Sequence, residues 1–298
     1  MNLKLRTAFD LAAVARDAGK RGRIEMKPIG ARLSFEVALY RIILRVLAVY
    51  EKAKPALIEG ARADRSTLTM DAFGISDIVS ALRGSFSQAI ALADNPLRDL
   101  FRGEGARHDS RWIEQVNSVI GVDLNAVVTS EQVQPAIDLA TRRNVALIKG
   151  LTDEVAARIE VAITDLVSRG ASTKEIAARL TEIGGFGRRR AQLIAVTEAN
   201  KFNGELNRIR QTQAGISRYT WSTVRDNRVR PKHRAREGQT YRWDTPPQGG
   251  PPGSEPRCRC VARAVLDFDE PAIRRSERRR ASTQGRRAVE AALTGFTP

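Results

Sequence analysis

The sequence predicts an α+β chain that is mostly α: a helical N-terminal half, then three helices packed on a small antiparallel β-rich module, with a basic C-terminal arm. Three observations predict it. Apolar residues make up 42% of the 298 residues but aromatics only 5%, a composition that suits helices packed through Ala, Leu, Ile and Val. Apolar positions recur at spacings of three and four through much of the chain before residue 212. Short runs of β-type composition gather between residues 219 and 265, separated by turns and a Pro/Gly-rich loop.

Taken in order, Phe35, Leu39, Ile42, Val46 and Tyr50 form the first amphipathic stripe, and Pro55 is expected to end that helix. A second helix is expected over residues 74–92, stopping before Asn95-Pro96, with a turn at residues 103–105. His108 stands alone and reads as a surface or packing residue. Thr152 can cap the next helix, whose first turn carries Asp153 and Glu154 beside the positive end of the helix dipole. Val155, Ile159, Ala162 and Leu166 are its buried stripe, and Gly170 ends it. Ser172 and Glu175 have the spacing of a capping box, opening a helix with Ile176, Leu180 and Ile183 inward. Gly184-Gly185 is expected to break it. A third helix follows over residues 188–212, with Ile194, Phe202, Leu206 and Ile209 on one face. Strands are expected at 219–223, 240–243 and 258–265. These signals divide the chain into a helical, protein-docking domain at 1–150, a second domain at 151–265 and an Arg-rich arm at 266–298.

Residues 218–265 hold both cysteines, one of the two histidines and two of the three tryptophans. Their order is Trp221, then Asp226, Arg228 and Arg230 in an Asp-x-Arg-Val-Arg turn, then His233, Gly238, Pro251-Pro252-Gly253 and Cys258-Arg259-Cys260. Upstream, residues 190–200 read RAQLIAVTEAN, with Ile194, Ala195, Thr197 and Glu198. This series, over about residues 140–265, resembles the phage head morphogenesis family, the Mu F-like minor head proteins. The resemblance implies a structural virion protein in the head interior or at the portal vertex, made in the host cytoplasm during assembly. Its implied partners are the portal protein, a major capsid or scaffold protein and packaged double-stranded DNA, and its implied roles are head assembly, DNA packaging or genome delivery.

Glu198 sits in the apolar stripe, so its carboxylate must be paired; the arginines of the turn, Arg228 or Arg230, are the expected partners. Cys258 and Cys260 lie two apart, too close for an unstrained disulfide, and a chain with only these two points to a reducing compartment. His233, Cys258 and Cys260 could share a zinc ion. That set is one ligand short of a structural site, and Cys-x-Cys is tighter than usual finger spacings. The expectation is therefore no metal and no cofactor, with two reduced, buried cysteines. One Asp amid arginines is no carboxylate cluster for a nuclease metal, and phosphate-loop, nucleophile-elbow and His-Glu-x-x-His patterns do not occur, so no enzyme is expected.

The net charge is +16, and it is uneven. Residues 188–236 carry thirteen Lys/Arg against three acids, and residues 274–287 carry seven Arg against Glu277; these excesses of ten and six account for the whole +16. Arg188, Arg189, Arg190, Arg274, Arg275, Arg278, Arg279, Arg280, Arg286 and Arg287 are the candidate DNA contacts, because cations on phosphates gain free energy from counterion release. A neutral helical half would then dock on protein and a basic half on DNA. A stand-alone basic nucleic-acid-binding module, with zinc if His233, Cys258 and Cys260 hold it, is the alternative reading. No membrane partner is expected: residues 33–50, the most apolar stretch, are interrupted by Glu36, Arg41 and Arg45. The basic N-terminus is not followed by the apolar run of a secretory signal.

Overall fold

Four long helices arise where the apolar stripes were read, and a small sheet closes one end of them. The computed structural model describes residues 10–17, 19–67, 73–125 and 127–268. In chain order the elements are α1 (Leu11–Asp17), β1 (Arg23–Glu25), α2 (Leu33–Thr67), α3 (Phe73–Ile120), a 3-10 turn (Ser130–Val133), α4 (Gln134–Ser168), α5 (Thr173–Gln213), β2 (Arg218–Ser222), α6 (Pro231–Arg234), β3 (Thr240–Arg242) and β4 (Val261–Asp267). The α+β, mostly α class follows directly. No helix among the described residues is long and apolar enough to cross a membrane.

The main core is the shared interior of α2, α3, α4 and α5. The stripe Phe35, Leu39, Ile42, Val46 and Tyr50 is buried throughout, as are Val155, Ile159, Ala162 and Leu166. Phe35, Phe101 and Phe202 meet at its centre; the Phe101 and Phe202 rings stand 4.9 Å apart at 72°, the edge-on geometry aromatic pairs prefer. A second core joins residues near the two ends of the described chain: Leu11, Met26 and Ile29 pack with Trp112, Ile216, Leu266 and Phe268.

The sheet order is β1-β4-β2-β3, all antiparallel, with Trp221 opposite Ala262 and Tyr219 opposite Tyr241. Each expected strand is present with shifted ends. Strand β4 starts at Val261, so both cysteines precede it rather than lie on it. Arg257, with φ +56°, turns the chain just before them. Strand β1 was not foreseen: three residues with one apolar side chain carry no readable alternation. Leu266 and Asp267, assigned to the C-terminal arm, end β4 instead.

Several expected breaks do not occur. Pro55 lies inside α2 and Pro96 inside α3, and residues 103–105 are helical. Leu57 and Ala61 beyond Pro55, and Leu97 and Phe101 beyond Pro96, are fully buried, so packing outweighs the lost backbone bond. Gly184-Gly185 is also helical, and α5 runs unbroken through it. A Cβ at Gly184 would lie 3.2 Å from Tyr50 Cε1, so this glycine serves the close approach of α5 to α2 rather than a stop. Tyr50 Oη donates across the same contact to the Leu180 carbonyl at 2.5 Å. Thr152 caps nothing; it lies within α4, its hydroxyl donating to the Lys149 carbonyl at 2.9 Å. Helix α4 passes straight through residue 150, where a domain boundary was expected, and the main core draws on both sides of it. The foreseen signals that hold are Gly170, with φ +69° after α4, and the reciprocal bonds between Ser172 and Glu175.

His108 is buried on α3, with Nε2 3.3 Å from Asn207 Oδ1 of α5. Burial pushes its pKa down to about 3, against the Asn207 hydrogen bond and with the repulsion of Arg210 and Arg111. The unfolded ring protonates near 6.5. Between these values unfolding takes up a proton, so the contribution is whole above pH 6.5 and is lost on acidification. The unfolding free energy is expected to fall by about 1.4 kcal/mol per pH unit from this residue, a slope removed in His108→Gln; urea denaturation at several pH values reads the difference.

Candidate functional site

The motif residues collect on one side of α5. Strand β2 places Trp221 and Tyr219 inward, and the chain then leaves through the basic turn. Arg225 has φ +56°, and the Asp226 carboxylate accepts from the Arg228 backbone N–H at 3.1 Å, closing the turn locally. Asp226 also accepts from Arg259 at 2.7 and 2.9 Å and from Arg228 at 3.1 Å. The Arg259 hydrogen bond foremost holds its carboxyl below the usual range. Arg259 is the middle residue of the Cys-Arg-Cys piece, so two motif segments are tied by one ion pair.

Pro231 opens α6, which carries His233. Its ring is buried and lies edge-on to Trp221, 5.2 Å between centroids. Nδ1 faces both cysteines, 3.6 Å from Cys258 Sγ and 3.7 Å from Cys260 Sγ. On the far side, Glu255 Oε2 is 3.2 Å from Nε2, within ion-pair distance though outside hydrogen-bond geometry. Lys232 at 2.5 Å and Arg230 at 3.5 Å hold Glu255 in place. Both cysteines are buried and unbridged. The Cys260 thiol hydrogen bond draws the Cys258 pKa down to about 6, and the Gly253 N–H, 3.4 Å from Cys258 Sγ, acts in the same direction against burial. The same pairing pushes Cys260 up.

Gly238, with φ +73°, makes the turn in which its N–H donates to the Trp221 carbonyl at 2.9 Å. The Pro-Pro-Gly piece lies against α5 backbone to backbone. A Cβ on Gly204 would stand 2.8 Å from the Pro252 carbonyl oxygen, and one on Gly253, whose φ is +90°, 2.7 Å from the Asn200 carbonyl oxygen. Thr197 Oγ1 accepts from the Arg257 N–H at 3.2 Å. The loop therefore needs glycine on both surfaces and Thr197 at its end.

Glu198 is buried and paired, as its place in the stripe requires, but not with the turn. It bonds Arg143 of α4, with Lys201 at 3.4 Å. Arg228 is committed to Asp226, and Arg230 to Glu255 and the Pro256 carbonyl. Arg143 is 55 residues upstream, with no sequence spacing to link it to Glu198. Glu255 and Arg259 were likewise missed; they sit in an aperiodic loop and between the cysteines, where only the fold reveals a partner. Of the candidate DNA contacts, Arg188 is paired with Glu51 at 2.9 Å, and Arg189 and Arg190 are exposed. Arg274, Arg275, Arg278, Arg279, Arg280, Arg286 and Arg287 lie outside the described residues.

Residues 157–263 match the family described as Phage Mu protein F like protein. Over these residues the chain is similar to the Mu F-like phage head morphogenesis family. The match falls within the 140–265 range of the motif series and runs from the C-terminal part of α4 through α5, β2 and β3 into β4. An uncharacterized protein of Haemophilus influenzae is 30% identical over 177 residues, which are 59% of this chain and 39% of that protein. The chain thus aligns with well under half the length of that relative. No solved structure matches it significantly.

The Mu F-like segment generates two stability predictions. Gly204→Ala is expected to destabilise by about 1–3 kcal/mol, the range for overpacking, although alanine favours a helix by about 1 kcal/mol. A more stable Gly204→Ala protein in urea denaturation would show the backbone contact to be slack. Arg143→Ala should cost about 3 kcal/mol, the lower end for breaking a buried pair because Lys201 remains, whereas exposed Arg228→Ala should stay within about 0.5 kcal/mol.

Proposed function

We propose that the protein is a structural minor head component of a tailed phage or phage-like particle, attached to the portal and inner capsid. It acts there in head assembly, DNA packaging or genome delivery. One observation carries the reading: the motif residues of the Mu F-like domain converge, and each is used in packing or pairing. Trp221, His233, Cys258 and Cys260 pack together, Asp226 ties the turn to Arg259, and Pro252-Gly253 rests on α5. Such a module is built to hold a shape. The helical half supplies surface for the portal and the capsid or scaffold protein; the basic residues supply the face toward DNA.

The test is copurification. The protein should travel with heads and portal through a density gradient, and heads assembled without it should fail in DNA content or delivery. Recovery wholly in the free fraction would sink the reading and favour a stand-alone nucleic-acid-binding module.

A binding prediction accompanies it. Affinity for two unrelated duplexes should be equal and should weaken as salt rises, by about 0.9 in log–log slope for each phosphate contacted. Removing residues 274–298 should make that slope shallower. An unchanged slope, or no binding at low salt, assigns the basic residues to an acidic protein partner.

A further inference from the structure

The three atoms His233 Nδ1, Cys258 Sγ and Cys260 Sγ lie within 4.8 Å of one another, and all three residues are buried. The two sulfur–nitrogen distances are 3.6 and 3.7 Å. A tetrahedral zinc ion with bonds of about 2.3 Å to sulfur and 2.05 Å to nitrogen sets the S–N edge at about 3.6 Å. The two sulfur–nitrogen pairs therefore already stand at the spacing of that polyhedron's S–N edges. The imidazole turns a single nitrogen, Nδ1, toward both sulfurs, and its other nitrogen faces the Glu255 carboxylate at 3.2 Å. A carboxylate beside the nitrogen that faces away from the ligands is a common surrounding of metal-binding histidines. The Gly253 N–H points at Cys258 Sγ, as suits a thiolate. A cavity of about 20 Å³ opens onto the three residues and is rimmed by Arg228, Arg230 and Arg257. It has room for one water molecule.

From this arrangement we infer that His233, Cys258 and Cys260 bind one zinc ion, with the fourth coordination position facing the cavity and taken by water. A sulfur and nitrogen ligand set selects zinc over the oxygen-preferring divalent cations. Binding exchanges the thiol protons for the metal and releases them to solvent, leaving two thiolates and a neutral imidazole around a doubly charged ion. The sequence named these three residues as a possible ligand set but set them aside as one ligand short. Cys-x-Cys was judged too tight against usual finger spacings, yet both residues lie on the segment before β4, with both sulfurs near His233 Nδ1. The inference is independent of head assembly: the ion would fasten α6 to that segment in any role.

The test uses the full chain without a polyhistidine tag, grown with added zinc and purified under reducing conditions without chelator. Elemental analysis should find about one zinc per chain. Cys258→Ser, Cys260→Ser and His233→Ala should each abolish it, and Glu255→Gln should weaken zinc affinity by about 10–100-fold. Because these variants could misfold, the parent protein is also stripped and reloaded with cobalt(II). Thiolate-to-cobalt charge transfer with strong visible absorption, displaced by zinc, is the expected spectrum of a tetrahedral site. Zinc near zero per chain with a featureless cobalt spectrum overturns the inference, as does zinc retained in the double variant Cys258→Ser/Cys260→Ser.

Discussion

Helix α5 works because one of its faces is polar and buried. Asn203 and Asn207 both donate to the Ile29 carbonyl, at 2.8 and 2.9 Å, and Gln211 donates to the Ala262 carbonyl at 3.1 Å. Gln211 also accepts from Trp243 Nε1 at 3.1 Å. Arg210, 1% exposed, makes two bonds of 2.6 Å to Asp109 of α3 and one of 3.0 Å to the Thr129 carbonyl. The Ile29 and Thr129 carbonyls lie in irregular chain and the Ala262 carbonyl in β4, and a buried carbonyl left unpaired costs about 1–3 kcal/mol. The sheet, the segment after β1 and the Pro-Gly loop all stand on this face. The opposite face, through Ile194, Phe202, Leu206 and Ile209, lies in the helical core. One unbroken helix thus couples a bundle to a β module.

The sequence shows the apolar half of that arrangement and hides the polar half. A hydrophobic stripe announces itself by period, and Ile194, Phe202, Leu206 and Ile209 were legible for that reason. Asn203, Asn207 and Gln211 repeat at the same spacing, yet polar residues at that spacing normally describe a solvated face. Only the missing partners, far away in sequence, distinguish the two. The breakers fail for a related reason. Proline and glycine are local signals, whereas Pro55 and Pro96 are overridden by residues buried beyond them, and Gly184 answers to Tyr50 across an interface. The capping box of Ser172 and Glu175, a local signal with a local partner, was read correctly, whereas the expected cap at Thr152 lies within α4.

The motif series behaved differently. Its pieces are short and individually common, but their order carried the family, and their geometry explains why each type is needed. Gly253 and Gly204 let two backbones meet. His233 must be small, flat and bifunctional to lie under Trp221 with one nitrogen toward the sulfurs and the other toward Glu255. Asp226 is placed to neutralise Arg259, which would otherwise bring an unpaired cation beside the buried cysteines. What stayed invisible was the partner of Glu198, because an ion pair between two helices leaves no trace in spacing.

Pairing also changes what the positive charge can do. Counted along the chain, residues 188–236 form a basic block. In the fold, many of those cations are committed: Arg188 to Glu51, Arg208 to Glu205, Arg225 to Glu237, Arg228 to Asp226, and Arg230 and Lys232 to Glu255. Arg210 is enclosed altogether. A paired cation still adds to the field that draws a polyanion from a distance, but it must leave its carboxylate to touch a phosphate. An enclosed one cannot touch at all. The block is therefore largely engaged in bracing the fold internally, while Arg189 and Arg190 lie exposed on α5.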